Sequence, residues 1–219
     1  MKNLLFAVTA LVALSALAPN SSIAEPTHPN EVGLYTTPDG YGATGIYDVD
    51  VPVDVYLVLT RPTNVSGGME PIGTITDFEI QLRFNPIGGM ILTGEDFMGD
   101  GVNEGYNIGE GDHLGEGFLD YLVILLYEPV PVINEAVVLV ALQFINSNDV
   151  PVEVTLYPCI NEQVWNQISF VTQELDDPDD WYQAMHPISG SRETPVFIFG
   201  GEAVAVENET FGSVKALYR

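Results

Sequence analysis

From Thr74 to Leu92 the chain alternates. Phe78, Ile80, Leu82 and Phe84 are interleaved with Asp77, Glu79, Gln81, Arg83 and Asn85. A period of two gives one apolar and one polar face, and predicts a half-buried strand. Asn85-Pro86 ends the ladder, because proline has no N–H to donate. Gly88-Gly89 turns the chain into a second apolar run, Met90-Ile91-Leu92. The apolar face of such a strand needs a second layer to cover it.

The rest of the chain supplies that layer. Val51, Val53, Val55, Leu57 and Leu59 share a face, with Asp54, Tyr56, Val58 and Thr60 on the other. Phe118 to Tyr127 and Ala136 to Ile145 are apolar on both faces and predict central, covered strands. Val150 to Leu156 alternates again, and Val164 to Thr172 reads as strand or short helix. Val196–Phe199 and Ala203–Val206 predict a hairpin through Gly200-Gly201. Thr37 to Gly42 predicts a hairpin or an open loop between Val32–Thr36 and Ile46–Asp50. Gly40, Gly42 and Gly45 match a dinucleotide fingerprint in letters only, because no helix follows to hold a pyrophosphate. About ten short strands with almost no helical periodicity predict an all-β fold, a two-sheet antiparallel β-sandwich.

The N-terminus reads as a secretory signal. Lys2 precedes an uncharged apolar run, Leu4 to Leu17, and Ser22-Ile23-Ala24 supplies small residues for cleavage after Ala24. The run is short for a bilayer span. The expected organisation is therefore a signal at 1–24, a sandwich at 25–206 and a tail at 207–219. The expected location is outside the cell, secreted or at the surface. One cysteine, Cys159, excludes an intrachain disulfide and reads as a buried thiol.

Charge narrows the partners. Thirty-one acidic residues face six basic ones, for a net charge of −25. Such a surface repels nucleic acid and anionic lipid and suits solubility, salt or divalent cations.

The strand order from Val51 to Leu156 resembles that of cohesin-like domains. The residues that carry the likeness are Val51–Leu59, Thr76 to Asn85-Pro86, Met90-Ile91-Leu92, Phe118–Tyr127, Ala136–Ile145 with Ala141-Leu142-Gln143-Phe144, and Val150–Leu156. It covers about the middle half of the chain and implies a nine-stranded jelly-roll, or Ig-like, sandwich that binds another protein through a sheet face. It transfers no site residue. The tail, Thr210 to Arg219, is similar to an aromatic-Gly-x-aliphatic-Lys-x-Leu-Tyr-Arg ending of uncharacterised exported bacterial proteins. That likeness implies export and a shared sorting or assembly route, with no activity.

Four groups of residues carry candidate chemistry. Gly94 to Gly117 holds eight glycines among acids. Asp100, Asn103, Glu104, Glu110 and Asp112 offer the oxygen ligands that Ca2+ takes, on backbone flexible enough to converge them. Their spacing matches no EF-hand, and a solvated loop explains the same letters. Asp176, Asp177, Asp179 and Asp180 form a second acidic set, split by Pro178. Trp181 and Tyr182 are the best exposed aromatic pair for a ligand, whereas Tyr121 and Trp165 read as core or rim. Phe211, Lys215, Tyr218 and Arg219 form a docking tail, with two of the few basic residues beside an acidic body. Abundant acids make a carboxylate pair uninformative, and no nucleophile or zinc motif occurs. The expected role is a non-enzymatic module that binds another extracellular protein or a second copy of itself. The alternatives are a subunit of an extracellular assembly joined by strand addition, and a carbohydrate-binding or carbohydrate-active protein.

Overall fold

The computed structural model describes residues 28–46, 49–97, 105–125, 129–160 and 166–200. The strands in chain order are β1 (Glu31–Tyr35), β2 (Gly45–Ile46), β3 (Pro52–Thr60), β4 (Thr63–Asn64), β5 (Glu70–Pro71), β6 (Thr74–Ile75), β7 (Asp77–Asn85), β8 (Met90–Phe97), β9 (Gly105–Asn107) and β10 (Gly111–His113). They continue as β11 (Phe118–Leu125), β12 (Val130–Pro131), β13 (Ala136–Asn146), β14 (Val152–Tyr157), β15 (Ser169–Val171), β16 (Tyr182–Ala184), β17 (His186–Pro187) and β18 (Phe197–Phe199). Helix among the described residues is limited to two 3-10 turns, Leu114–Glu116 and Pro178–Asp180. None of it is long and apolar enough to cross a membrane.

Two sheets pack face to face. The smaller runs β17-β1-β3-β13-β8. The larger runs β10-β11-β7-β14-β18-β2. On the edge of β7 that receives β14, β15 pairs with Asp77–Glu79, while β14 takes Gln81–Asn85. The β16 strand extends the sheet beyond β15, and β9 pairs with the far end of β11. The pairings within these sheets are antiparallel apart from β1 with β17 and β18 with β2. Aromatic contacts stitch the sheets together: Phe144 of β13 meets Phe84 of β7 edge-on at 5.6 Å and Phe199 of β18 at 5.4 Å between centroids. Phe97 of β8 meets Tyr121 of β11 at 5.9 Å. One contiguous buried cluster draws on both sheets, so the predicted sandwich holds.

Local readings hold unevenly. Phe78, Ile80, Leu82 and Phe84 are buried as the alternation requires, but so are Glu79 and Gln81 on the opposite face. In β3 the alternation fails from Leu57 onward, because Val58 and Thr60 are covered too. The loop over 37–42 provides that cover: a Cβ on Gly40 would lie 2.6 Å from Thr60 Cγ2. It is an open loop between sheets, since β1 pairs with β3 and β17 while β2 joins β18. The Gly94–Gly117 stretch is not structureless where described: it completes β8 and contributes β9 and β10. Ser169–Val171 is strand rather than helix, and Ala203–Val206 lies outside the described residues.

Candidate interaction site on the outer face of the larger sheet

The outer faces of the two sheets differ. On the smaller sheet a polar row crosses the strands: Gln143 Nε2 donates to Asp54 at 2.9 Å, and Thr93 Oγ1 donates to Gln143 Oε1 at 3.0 Å. Cross-strand register sets the rows on the larger sheet. Leu122, Glu79 and Ser169 stand side by side, and so do Ile124, Asp77 and Val171. Tyr106 extends the second row on the β9 side, and Tyr182 on the β16 side.

Between these rows lies a depression of about 220 Å³ bounded by Ile108, Leu122, Ile124, Val171, Tyr182 and the carboxylates Asp77 and Glu79. Apolar residues here are open to solvent: Tyr182 and Ile108, which line the depression, are 48% and 45% exposed, and Tyr106, next to Ile124 in register, is 62% exposed. Neighbouring exposed apolar residues on one face mark an interaction surface better than scattered ones do.

Polar groups beneath the rim fix its shape. Glu79, 2% exposed, accepts a hydrogen bond from Ser169 Oγ at 2.7 Å, and the Cys159 thiol lies 3.9 Å from its other oxygen. Asp120 is fully buried and accepts from Gln81 Nε2 at 3.1 Å, Ile160 N at 2.9 Å and Glu110 N at 3.2 Å. Buried carboxylates are tolerated when donors surround them in this way. The segment after β14 thus covers the centre of this face through Cys159 and Ile160. Arg83 Nε donates to Gln81 Oε1, and its guanidinium lies 4.0 Å from the Tyr157 ring centroid.

The edge of β11 is completed by a side chain. Asn107 Oδ1 accepts from Leu122 N at 3.0 Å and Gly109 N at 2.9 Å, and its Nδ2 donates to the Asp120 carbonyl at 3.0 Å. The amide imitates a ladder rung between β9 and β10, and Ile108 N bonds the Leu122 carbonyl at 2.8 Å. Ile108 is therefore held against the depression by backbone on both sides.

The sequence-derived candidates fall in different places. Tyr182 stands on the rim of the depression. Trp181 is turned into the acidic turn, its indole N–H donating to the Leu175 carbonyl at 2.9 Å. Asp180 of that turn accepts from Ser66 Oγ at 2.6 Å. Of the calcium set, Asp100, Asn103 and Glu104 lie outside the described residues. Glu110 and Asp112 flank Gly111 in β10, and Asp112 Oδ1 accepts from Leu114 N at 2.9 Å, closing the turn into the 3-10 segment. Among the described residues no three His, Cys, Asp or Glu side chains converge on a metal-sized site. Phe211, Lys215, Tyr218 and Arg219 lie outside the described residues, as do Trp165 and Tyr127. Glu79, Asp120, Asn107 and Ser169 are absent from the sequence-derived candidates. The signal that could have found Asp120 is its charge within an otherwise apolar run.

No family model matches this chain, and no curated protein does. Solved structures with a similar course of the chain are cohesin modules. One is from a family 33 glycoside hydrolase of Clostridium perfringens, at 12% identity and TM-score 0.40, covering 64% of this chain and 90% of that one. A second is a cohesin from Clostridium thermocellum solved in a cohesin–dockerin complex, at 8% identity and TM-score 0.44, covering 78% and 96%. A third is the sixth cohesin of scaffoldin B of Acetivibrio cellulolyticus in complex with a dockerin, at 13% identity and TM-score 0.43, covering 73% and 94%. The sandwich of the present chain stands on its own strand pairing and shared core, independently of these likenesses.

Proposed function

We propose that this chain is a non-catalytic, exported binding module that docks a protein partner on the outer face of the larger sheet. The observation that carries this reading is the pair of exposed apolar residues Ile108 and Tyr182 lining a floored depression, with exposed Tyr106 next to Ile124 in register. The opposite outer face carries the Asp54–Gln143–Thr93 polar row. The groups that build the site are committed to structure: Asp120 accepts from three donors, and Glu79 is held by Ser169. Export rests on the N-terminal pattern of Lys2, the apolar run and Ala24.

Joining by strand addition is less favoured at β8, an edge strand of the smaller sheet. Its ladder with β13 shifts register between Gln143 and Phe144, and Glu95 is opposite Leu142 on the inward side. Bulges and inward charges both blunt an edge.

The test is capture from the native extracellular fraction by the full chain and by two variants. Ile108→Asp on the rim should abolish capture of the partner, while Gln143→Lys on the other sheet should leave it intact. Equal capture by Ile108→Asp and the unaltered chain would remove the proposal.

A further inference from the structure

We infer that Arg83 anchors a carboxylate side chain of the docked partner; this rests on the docking reading above. Arg83 is exposed on β7, on the same face as Asp77, Glu79 and Gln81. It lies four residues beyond Glu79, hence roughly 14 Å along the strand from the depression. A standard interface takes roughly 800 Å² from each partner and spans that distance. Between the two stands Ile160, 53% exposed, its N–H bonded to Asp120 at the level of Gln81.

The guanidinium is held in place by a relay. Buried Asp120 accepts from Gln81 Nε2 at 3.1 Å, and Gln81 Oε1 in turn accepts from Arg83 Nε. The Tyr157 ring backs the guanidinium, 4.0 Å from centroid to carbon. These contacts engage one nitrogen and one face of a planar group. The fork of its two terminal nitrogens has no acceptor among the described residues. The chain has 31 acidic residues, yet among the described residues the ion pair joins His113 to Glu116, and Arg83 enters none. Asp120 reaches Arg83 only through the neutral Gln81 amide, so the relay orients the cation without pairing it.

Two parallel N–H groups match one carboxylate bidentately. The side chain is fixed before binding, which lowers the ordering cost of such a pair. Arginine is enriched among the few residues that dominate protein interfaces. A polyanion fits this face poorly, because a net charge of −25 repels it and a single cation faces it here. The partner's carboxylate is therefore set in an otherwise neutral or apolar patch that covers Ile160 and the depression.

The test is a binding cycle between the full chain and the captured partner, untreated or with its carboxylates converted to amides by a carbodiimide and ethanolamine. Arg83→Gln should weaken binding of the untreated partner roughly tenfold or more. Arg83→Lys keeps the charge and loses the fork, and its affinity should fall between the two. Amidation should weaken binding to the unaltered chain and add little to the loss in Arg83→Gln. Equal affinity of Arg83→Gln and the unaltered chain, or equal losses on amidation for both, would overturn the assignment. So would binding that survives proteolysis of the partner, which would make the ligand an acidic glycan. If Ile108→Asp abolishes capture while the Arg83 variants bind fully, the docking face stands and the carboxylate falls. If capture ignores Ile108→Asp, or the unaltered chain captures nothing, the docking reading falls and the anchor falls with it.

Discussion

The Tyr121 hydroxyl donates to Glu95 Oε1 at 2.7 Å and thereby ties the larger sheet to the rim of the smaller one. Tyr121 is wholly buried, and Glu95 sits on the edge strand β8. Burial raises the Glu95 carboxyl above its ordinary value, the nearby Asp112 charge adds to the rise, and the Tyr121 bond opposes it. Burial likewise pushes the Tyr121 hydroxyl well above its ordinary value, with the Glu95 charge next in importance.

A raised carboxyl means that the folded state binds its proton more tightly than the unfolded state does. The associated stability is therefore full below the ordinary glutamate range and is lost as pH rises through the raised value. Glu95→Gln retains an acceptor for Tyr121 and removes the ionisation. It should melt higher than the unaltered chain at pH 7, by less than about 1 kcal/mol because Glu95 is largely solvent-screened. The difference should disappear below about pH 4, where glutamate is protonated in both states. Melting curves across pH would show an equal offset at every pH if the account were wrong.

Asp120 should be the most sensitive polar position. Asp120→Ala strands the donors of Gln81, Glu110 and Ile160, at about 1–3 kcal/mol for each one that water does not reach. Asp120→Asn keeps one acceptor oxygen and should cost less. Urea unfolding of the two variants gives the ordering.

Phe144 is the joint of the core, since it touches Phe84 and Phe199 of the facing sheet. Phe144→Ala should destabilise the chain by about 3–5 kcal/mol. Exposed Ile133 provides the control, and Ile133→Ala should change stability by less than about 0.5 kcal/mol. Denaturant midpoints read both.

Gly40 has φ +75°, and a Cβ there would press on Thr60 Cγ2. Gly40→Ala should cost about 1–3 kcal/mol through backbone strain, before counting the contact. Hydrogen exchange at Val58 and Thr60 should quicken, because the loop over 37–42 is their cover.

The sandwich was legible because the alternation at Phe78–Phe84 depends only on neighbours along the chain. The fate of the other face was not. Glu79 and Gln81 read as wet, yet Cys159 and Ile160, some eighty positions away, fold over them. Their partners Ser169 and Asp120 are distant as well. Short strands escaped for a related reason: Gly105–Asn107 and Gly111–His113 are poor strand formers, and the edge of Phe118–Leu125 decides their conformation. Tyr182 was found because it follows an acidic turn. Its companion Trp181 was grouped with it by adjacency alone, and alternation sends neighbouring side chains to opposite faces.

The most direct test of the docking face is hydrogen exchange on the full chain, alone and with its captured partner bound. Docking on this face should slow exchange at Tyr106–Ile108, Ser169–Val171 and Tyr182–Ala184. Protection confined to β8 or to the outer face of the smaller sheet, with those segments unchanged, would contradict it.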